Sequence, residues 1–266
     1  DYAVQVYITG GPGDAIKEVA RLCNEVDLVV CCGGDGTFNE TLSGLLSAES
    51  KTPIGYIPTG STNDFASSLK LPLDVLEATK NIIEGQPVPY DAGRFGGRVF
   101  SYVASFGAFT RTSYTTPQSI KNALGHTAYV LEGIQELTQI RNEHIKMIVD
   151  GEVVEDDFLF GAICNSTSVG GVLTLDPDVV DLQDNKLEIL LVRAPRNLAE
   201  LHECILALQD QTYNCAMLTF RSATHIRIFA DPEMPWTLDG EREEGHSEVE
   251  VVPEHLAYRL MKRVQP

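Results

Sequence analysis

The chain has 266 residues, 43% of them hydrophobic, with a mean hydropathy of −0.05 and a formal net charge of −18. That length is more than one core usually needs and suits two. The charge excludes general nucleic-acid binding, which depends on neutralising phosphates, and attraction of the whole surface to anionic membranes, so any membrane contact must be local. No apolar run is long enough to span a bilayer, and no signal-peptide pattern opens the chain. It begins at Asp1 without Met, so further residues are expected upstream. Six Cys, at 23, 31, 32, 164, 204 and 215, lie mostly inside apolar segments. With no C-x-x-C pair and no zinc-like His spacing, they read as reduced, buried thiols of a cytoplasmic protein.

In chain order, residues 4–9 alternate apolar and polar as a strand does, and Gly10 to Gly13 make a turn. Asp14 reads as the N-cap of a helix with Ile16, Val19, Ala20 and Cys23 on its apolar face. The continuous apolar run 28–32 has the character of a parallel strand buried on both faces. Phe38, Leu42, Leu45 and Leu46 stripe a second helix, and 54–57 is the next strand. Asp74 with Glu77 resembles a capping box before a helix closed by Gly85. Alternating strands and helices to residue 85 predict an α/β layer with its loops at the carboxyl ends of the strands.

The character then changes. Residues 87–109 are strand-like, 98–104 most clearly. A long helix is predicted over 117–140, with Ile120, Leu124, Ala128, Leu131, Ile134 and Leu137 at helical spacing and Gly125 interrupting it. Residues 144–149, the pair Asp150-Gly151 and 152–154 predict a hairpin. Further strands are expected at 158–164, 186–192, 224–229 and 248–252, and a helix near 198–209. This half reads as a sandwich or partly closed barrel, without internal repeats or low-complexity tracts.

The chemistry concentrates in residues 29–40, VVCCGGDGTFNE, and 58–66, PTGSTNDFA. Each is an apolar run ending in a Gly-rich turn that carries one Asp, with a helical pattern behind it. Gly33 and Gly34 allow close approach of a ligand to the backbone. Such a turn exposes successive N–H groups, the helix adds the positive end of its dipole, and phosphate is the natural guest. Asp35 would repel that phosphate unless a metal ion stood between them, which asks for a polyphosphate with Mg²⁺. Neither loop fits a P-loop or the dinucleotide G-x-G-x-x-G pattern.

GGDGTFNE followed by PTGSTNDFA resembles the diacylglycerol kinase catalytic-domain family, the bacterial and eukaryotic lipid kinases. The second motif usually has G-T where this chain has Gly60-Ser61. GGDGT also occurs in NAD kinases and phosphofructokinases, and the pairing with GSTNDFA is what points to lipid kinases. Residues 121–137, with Leu124-Gly125 and Ala128-Tyr129, are similar to the family's LG-x-x-x-Y helix. Residues 168–171 with Asp176-Pro177 and Asp184 are similar to its G-G-…-P-x-A-…-D-G-x-L region, Asn185 replacing the usual Gly. Residues 238–241, LDGE, are similar to its D-G-E motif. The family's opening strand ending in N-P-x-[SA]-G has no counterpart.

The resemblance implies an α/β + β fold. An N-terminal three-layer α/β nucleotide-binding domain, NAD-kinase-like, would cover 1–91 and receive the C-terminal tail 253–266. A β-sandwich-like lipid-substrate domain would cover 92–252. It implies an ATP-dependent lipid kinase, with diacylglycerol to phosphatidic acid as the default. A sphingoid or other long-chain lipid kinase, an NAD kinase and a non-catalytic lipid- or nucleotide-binding protein are the alternatives.

Carried onto this chain, Gly33, Gly34, Gly36 and Thr37 would hold the nucleotide phosphates. Gly60, Ser61, Thr62 and Asn63 would form the other lip of that cleft. Asp35, Asp64 and Asp91 would surround a catalytic Mg²⁺, partly through waters. Asp239 would be the general base, Glu241 would belong to the nucleotide side of its motif, and Asp184 would serve a structural metal. The plain alternatives are a turn acid for Asp91 and a solvated Asp-Gly hairpin tip for Asp239. Arg111, Lys121, Arg193 and Arg196 each read singly as solvated surface and, if clustered, as a local site for anionic headgroups. A peripheral position at the membrane surface and a homodimer are expected by resemblance.

Overall fold

A computed structural model describes residues 2–108, 141–169, 173–213 and 215–263. The predicted helix over 117–140, Arg111, Lys121 and Gly170-Gly171 lie outside them.

The N-terminal alternation forms as α1 (Asp14–Leu22), β1 (Val29–Gly33), α2 (Asp35–Ser47), β2 (Ile54–Pro58), α3 (Asp64–Ser68) and α4 (Val75–Ile83). β1 and β2 pair in parallel, Val29 opposite Ile54 and Gly33 opposite Pro58. Three expectations change here. Residues 4–9 form no strand, and Val4, Val6 and Ile8 stand 79%, 78% and 86% exposed; no described strand offers them a ladder, so their alternation has no face to bury. β1 is buried on one face only. Cys31 packs with Phe38 and Leu42, while Val30 and Cys32 look outward. Asp14 is the first residue of α1 rather than its cap. The cap is supplied from α2, where the Glu40 carboxylate accepts the N–H groups of Gly13 (2.7 Å) and Ala15 (3.3 Å). At α4 the expected cap holds, with Asp74 accepting from the N–H groups of Leu76 and Glu77. The Glu77 carboxylate pairs with Lys80 at 2.7 Å.

The strands continue as β3 (Gln86–Phe95), β4 (Arg98–Phe100), β5 (Val103–Gly107), β6 (Glu143–Val149), β7 (Glu152–Cys164), and the short β8 (Ser168–Val169) and β9 (Leu173–Thr174). After them come β10 (Leu187–Arg193), α5 (Leu198–Gln209), β11 (Leu218–Ala223), β12 (Ile226–Phe229), β13 (Trp236–Leu238), β14 (Glu241–Glu243) and β15 (Glu248–Lys262). The hairpin between β6 and β7 turns at Asp150 (φ 47°) and Gly151 (φ 90°), the left-handed pair such a turn requires. The two strands expected at 152–154 and 158–164 are one. β7 pairs with β6 in its first half and with β5 and β10 in its second. That change of partners links the β6 side of the sheet to the β5 and β10 side. The predicted strand over 98–104 is broken at Ser101 and Tyr102, whose N–H groups leave the ladder for the Asp239 carboxylate.

Thirteen described strands form one hydrogen-bonded network, and two cores lie against it. One fills the sandwich, with Phe106, Ile145, Met147, Ile189, Ile228 and Trp236. The other joins the α/β layer to the sandwich's outer face, packing Phe38, Leu42 and Tyr56 with Phe160, Leu190 and Tyr258. β10 is buried on both faces because it lies between them: Ile189 and Leu191 face the first core, Leu190 and Val192 the second. Both β3 and β15 run unbroken through the positions 91/92 and 252/253 expected to separate domains. Leu260 of β15 pairs in parallel with Ile54 of β2, so the last strand enters the N-terminal sheet.

Candidate active site

β1 and β2 end side by side, which brings the two Gly-rich turns into contact. The Thr59 N–H donates to the Gly33 carbonyl at 2.9 Å. A Cβ on Gly60 would lie 2.5 Å from the Gly34 Cα, and one on Gly33 would lie 2.6 Å from the Thr37 Cβ. Only Gly lets the loops touch and the first turn of α2 fold over β1. Gly34 caps α2 without a side chain, so the N–H groups of the first turn remain open to an anion. Against this end lies a cleft of about 450 Å³, lined by Gly34, Gly36, Thr37, Glu40, Glu241 and, opposite, Thr9 to Pro12. A second hollow, walled by Arg94 and Arg98, shares Pro12, Glu40 and Glu241 with it.

The second motif backs the first rather than forming the cleft's other lip. Ser61 and Thr62 are exposed. Asn63, left-handed at φ 54°, returns its side chain to its own loop, accepting from the Gly60 N–H (2.9 Å) and donating to the Gly60 carbonyl (2.8 Å). Asp64 and Phe65 donate their N–H groups to Asp35 at 3.1 and 3.2 Å. Asp35, 8% exposed, thereby caps α3 while standing in the first turn of α2. The far lip consists of Thr9 to Pro12, whose Gly-Gly-Pro composition reads in sequence only as a turn.

The four acids divide into three settings. Asp35 and Asp64 adjoin at the two loops. Asp91 is fully buried, its Oδ1 accepting from the Leu256 N–H (2.6 Å) and lying 3.0 Å from His255 Nδ1, its Oδ2 accepting from the Asn185 N–H (2.7 Å). It therefore ties β3 to the bulge in β15, where Leu256 is left-handed at φ 45°. Asp239 sits in an Asp-Gly turn between β13 and β14, as its residue pair predicts, but the carboxylate is 2% exposed and not a solvated tip. It receives five donors: Asn39 Nδ2 (2.7 Å), the N–H (2.5 Å) and Oγ (2.8 Å) of Ser101, and the N–H groups of Tyr102 and Val103 (3.0 Å each). Burial raises its pKa above the usual aspartate value, and those donors oppose the rise. Tyr258, wholly buried, feels the charge of both Asp239 and Asp91. An aromatic floor of Phe38, Phe65, Tyr56, Tyr258 and Tyr90 joins this region to the loops.

Asn39 and Glu40 carry structural roles that the motif alone leaves unread. Asn39 follows Asp35 by one helical turn, so one face of α2 presents an acid to the start of α3 and an amide to Asp239. A Cβ on Gly36 would lie 2.7 Å from Glu241 Oε1, which puts that carboxylate directly over the loop. Arg98 holds the neighbouring Glu243 at 2.6 Å and Glu241 at 3.6 Å.

For a divalent cation, no three His, Cys, Asp or Glu side chains converge among the described residues. Among them, a closed protein cage is therefore not built. Asp35, in the first turn of α2 at an open helix N-terminus, gives each oxygen to a single N–H, and the lone pairs it keeps would suit Mg²⁺, which takes one or two carboxylates and completes its shell with phosphate oxygens and water. Asp91 turns its oxygens to its own three donors. Asp184 accepts the Lys186 N–H at 3.0 Å, and the Lys186 ammonium lies 3.5 Å from its other oxygen. The Arg193 guanidinium pairs with Asp156 at 3.1 Å and so is already engaged, while Arg196 donates its backbone N–H to Glu200.

Two Gly turns in contact at a helix N-terminus, with Asp35 between them and a β sandwich alongside, form the kind of site that receives an anion. The comparisons name the family. Residues 1–95 match the diacylglycerol kinase catalytic domain, and 103–259 match the YegS C-terminal NAD kinase beta sandwich-like domain. The diacylglycerol kinase of Bacillus subtilis (strain 168) is 32% identical over 245 residues, covering 90% of this chain and 80% of that protein. That of Staphylococcus carnosus (strain TM300) is 33% identical over 242 residues, covering 90% and 78%. A crystal structure of a diacylglycerol kinase from Bacillus anthracis str. Sterne has the same fold, with a TM-score of 0.72 and 23% identity over 96% of this chain and 83% of that one. The chain belongs to the diacylglycerol kinase family, a family of kinases.

Proposed function

We propose that this protein transfers the γ-phosphoryl group of ATP, with Mg²⁺, to the hydroxyl of a membrane lipid, diacylglycerol giving phosphatidic acid. The observation that carries the reading is α2. Its uncapped N-terminus opens on the cleft beside Asp35, and one turn on, its Asn39 holds Asp239. Phosphate site and candidate base are thus fixed to one rigid element, the positioning that phosphoryl transfer depends on.

In this mechanism the N–H groups of the first turn of α2 receive the phosphates, and Asp35 and Asp64 would hold Mg²⁺, partly through water. Mg²⁺ supplies neutralisation of the charge on the transferring group. Asp239 is the base. The Ser101 hydroxyl donates to Oδ2 at 2.8 Å, a bond that the acceptor hydroxyl would replace. When the lipid hydroxyl replaces it, its proton passes to the Asp239 carboxylate. Its oxygen then bonds to the γ-phosphorus as the bond from that phosphorus to the β–γ bridging oxygen breaks, and ADP leaves. The raised pKa makes Asp239 a better base than an ordinary aspartate, and the N–H groups of Ser101, Tyr102 and Val103 keep it in place. A cytoplasmic location at the membrane surface follows from the acceptor.

The test is phosphorylation of micellar diacylglycerol by the purified protein with ATP and Mg²⁺, beside a sphingoid base and NAD. Transfer to diacylglycerol is expected, and Asp239→Asn should lower kcat by about 10²–10⁴-fold. NADP formation, or near-wild-type turnover by Asp239→Asn, overturns the corresponding part of the reading.

A further inference from the structure

Leu73, Val75 and Leu76 are 55%, 49% and 71% exposed, although Leu71 before them is 6% exposed and Ala78 after them 1%. Single exposed leucines need no explanation. Three large apolar side chains within four residues, at the start of one helix, do. Lys70 lies beside them, exposed and left-handed at φ 54°. Lys262 is close enough for the Lys70 charge to add to burial in lowering its pKa. Its ammonium donates to the Leu69 carbonyl at 2.8 Å, so two cations meet at this edge of a strongly acidic chain. The acids nearby are already engaged, Asp74 with the N–H groups of α4 and Glu77 with Lys80.

We propose that Lys70, Leu73, Val75 and Leu76 form the edge by which this protein docks on an anionic lipid bilayer. The apolar side chains enter the interface and the Lys70 ammonium meets the headgroups. Two observations favour a lipid surface over a second copy of the chain. The patch is a few side chains, far below the ~1,000 Å² a stable protein interface needs. A few inserted apolar groups with an adjacent cation are, by contrast, enough for reversible attachment to a bilayer. The edge also follows directly on α3, whose first N–H groups hold Asp35. α4 packs on β2, the strand that ends in the second Gly-rich turn, so docking here holds that layer against the bilayer. This significance for catalysis rests on the lipid-kinase reading; the docking itself does not.

The experiment is flotation of the full chain, without nucleotide or acceptor, on vesicles of phosphatidylcholine and on vesicles with about a third of it replaced by phosphatidylglycerol. Wild type should float with the anionic vesicles. Leu73→Glu with Leu76→Glu should weaken that binding about ten-fold or more. Lys70→Glu should weaken it about five-fold or more on anionic vesicles alone. Ile83→Glu, an exposed apolar position at the far end of α4, should bind as wild type does. All these side chains are exposed, so melting temperatures should hold, and Lys70→Glu reads out even if the double variant folds poorly. The inference is overturned if wild type stays with neither vesicle, if the patch variants float like wild type, or if the double variant loses only a dimer seen by sedimentation. A negative kinase assay with intact flotation would sink the proposed reaction and leave the docking edge standing.

Discussion

Glu188 lies in β10, opposite Cys164 of β7 and Ser222 of β11, and is 1% exposed. One of its carboxylate oxygens has no hydrogen-bond partner. Burial pushes its pKa up to about 8, and the Asp184 charge adds to the rise. Its folded pKa thus exceeds its unfolded one, and between the two the folded state keeps a proton that the unfolded chain releases. Its contribution to stability therefore falls as pH rises from the unfolded pKa through about 8. Glu188→Gln, which cannot ionise, is expected to be close to neutral in urea unfolding at pH 5 and stabilising by about 2–4 kcal/mol at pH 9. Equal effects at both pH values would refute the assignment. Nothing in the sequence marks this residue, because an acid inside an apolar strand is half-exposed wherever only one face of the sheet is covered. The same limit applies to Asp239. Its Asp-Gly turn is legible, but its burial depends on Ser101 to Val103 and Asn39, distant in the chain.

At the scale of elements, the Gly-rich turns are a matched pair. Gly60→Ala would set a methyl group 2.5 Å from the Gly34 Cα, backbone against backbone, so the turns must part. We expect a loss of about 1–3 kcal/mol in thermal or urea unfolding together with weaker nucleotide binding. Gly97→Ala, with nothing within 4 Å of its Cβ, should change neither; equal behaviour of the two variants would count against the contact. What the sequence reveals of the elements follows their locality. α5 and the β6–β7 hairpin carry their own signals, a cap at Asn197 and the pair Asp150-Gly151, and both form where expected. The alternation of residues 4–9 is equally local, yet an alternating segment becomes a strand only beside a partner. The break at Ser101, the continuity of β7 and the cap lent to α1 by Glu40 all arise from contacts across the fold.

For the whole molecule, the second core matters most, because Phe38 and Leu42 of the α/β layer pack with Phe160 and Leu190 of the sandwich and Tyr258 of β15. The α/β and β-rich halves are legible in the change of pattern near residue 86. Their shared core is not, since an apolar residue in sequence does not say which half it will face. Deleting the chain from residue 254 onward would remove the wholly buried Leu260 and Tyr258 and the Leu256 N–H that Asp91 accepts. Such a truncated protein is expected to lose cooperative unfolding throughout, including the α/β layer, as measured by calorimetry and near-UV circular dichroism. A residual sharp transition would show that the layer holds by itself. β15 leaves the ribosome after every strand it joins, while its partner Ile54 in β2 emerges early. The first half of the chain must therefore wait through the synthesis of the second with an unpaired strand edge. During translation this protein is expected to lean on chaperones for longer than its size alone would suggest.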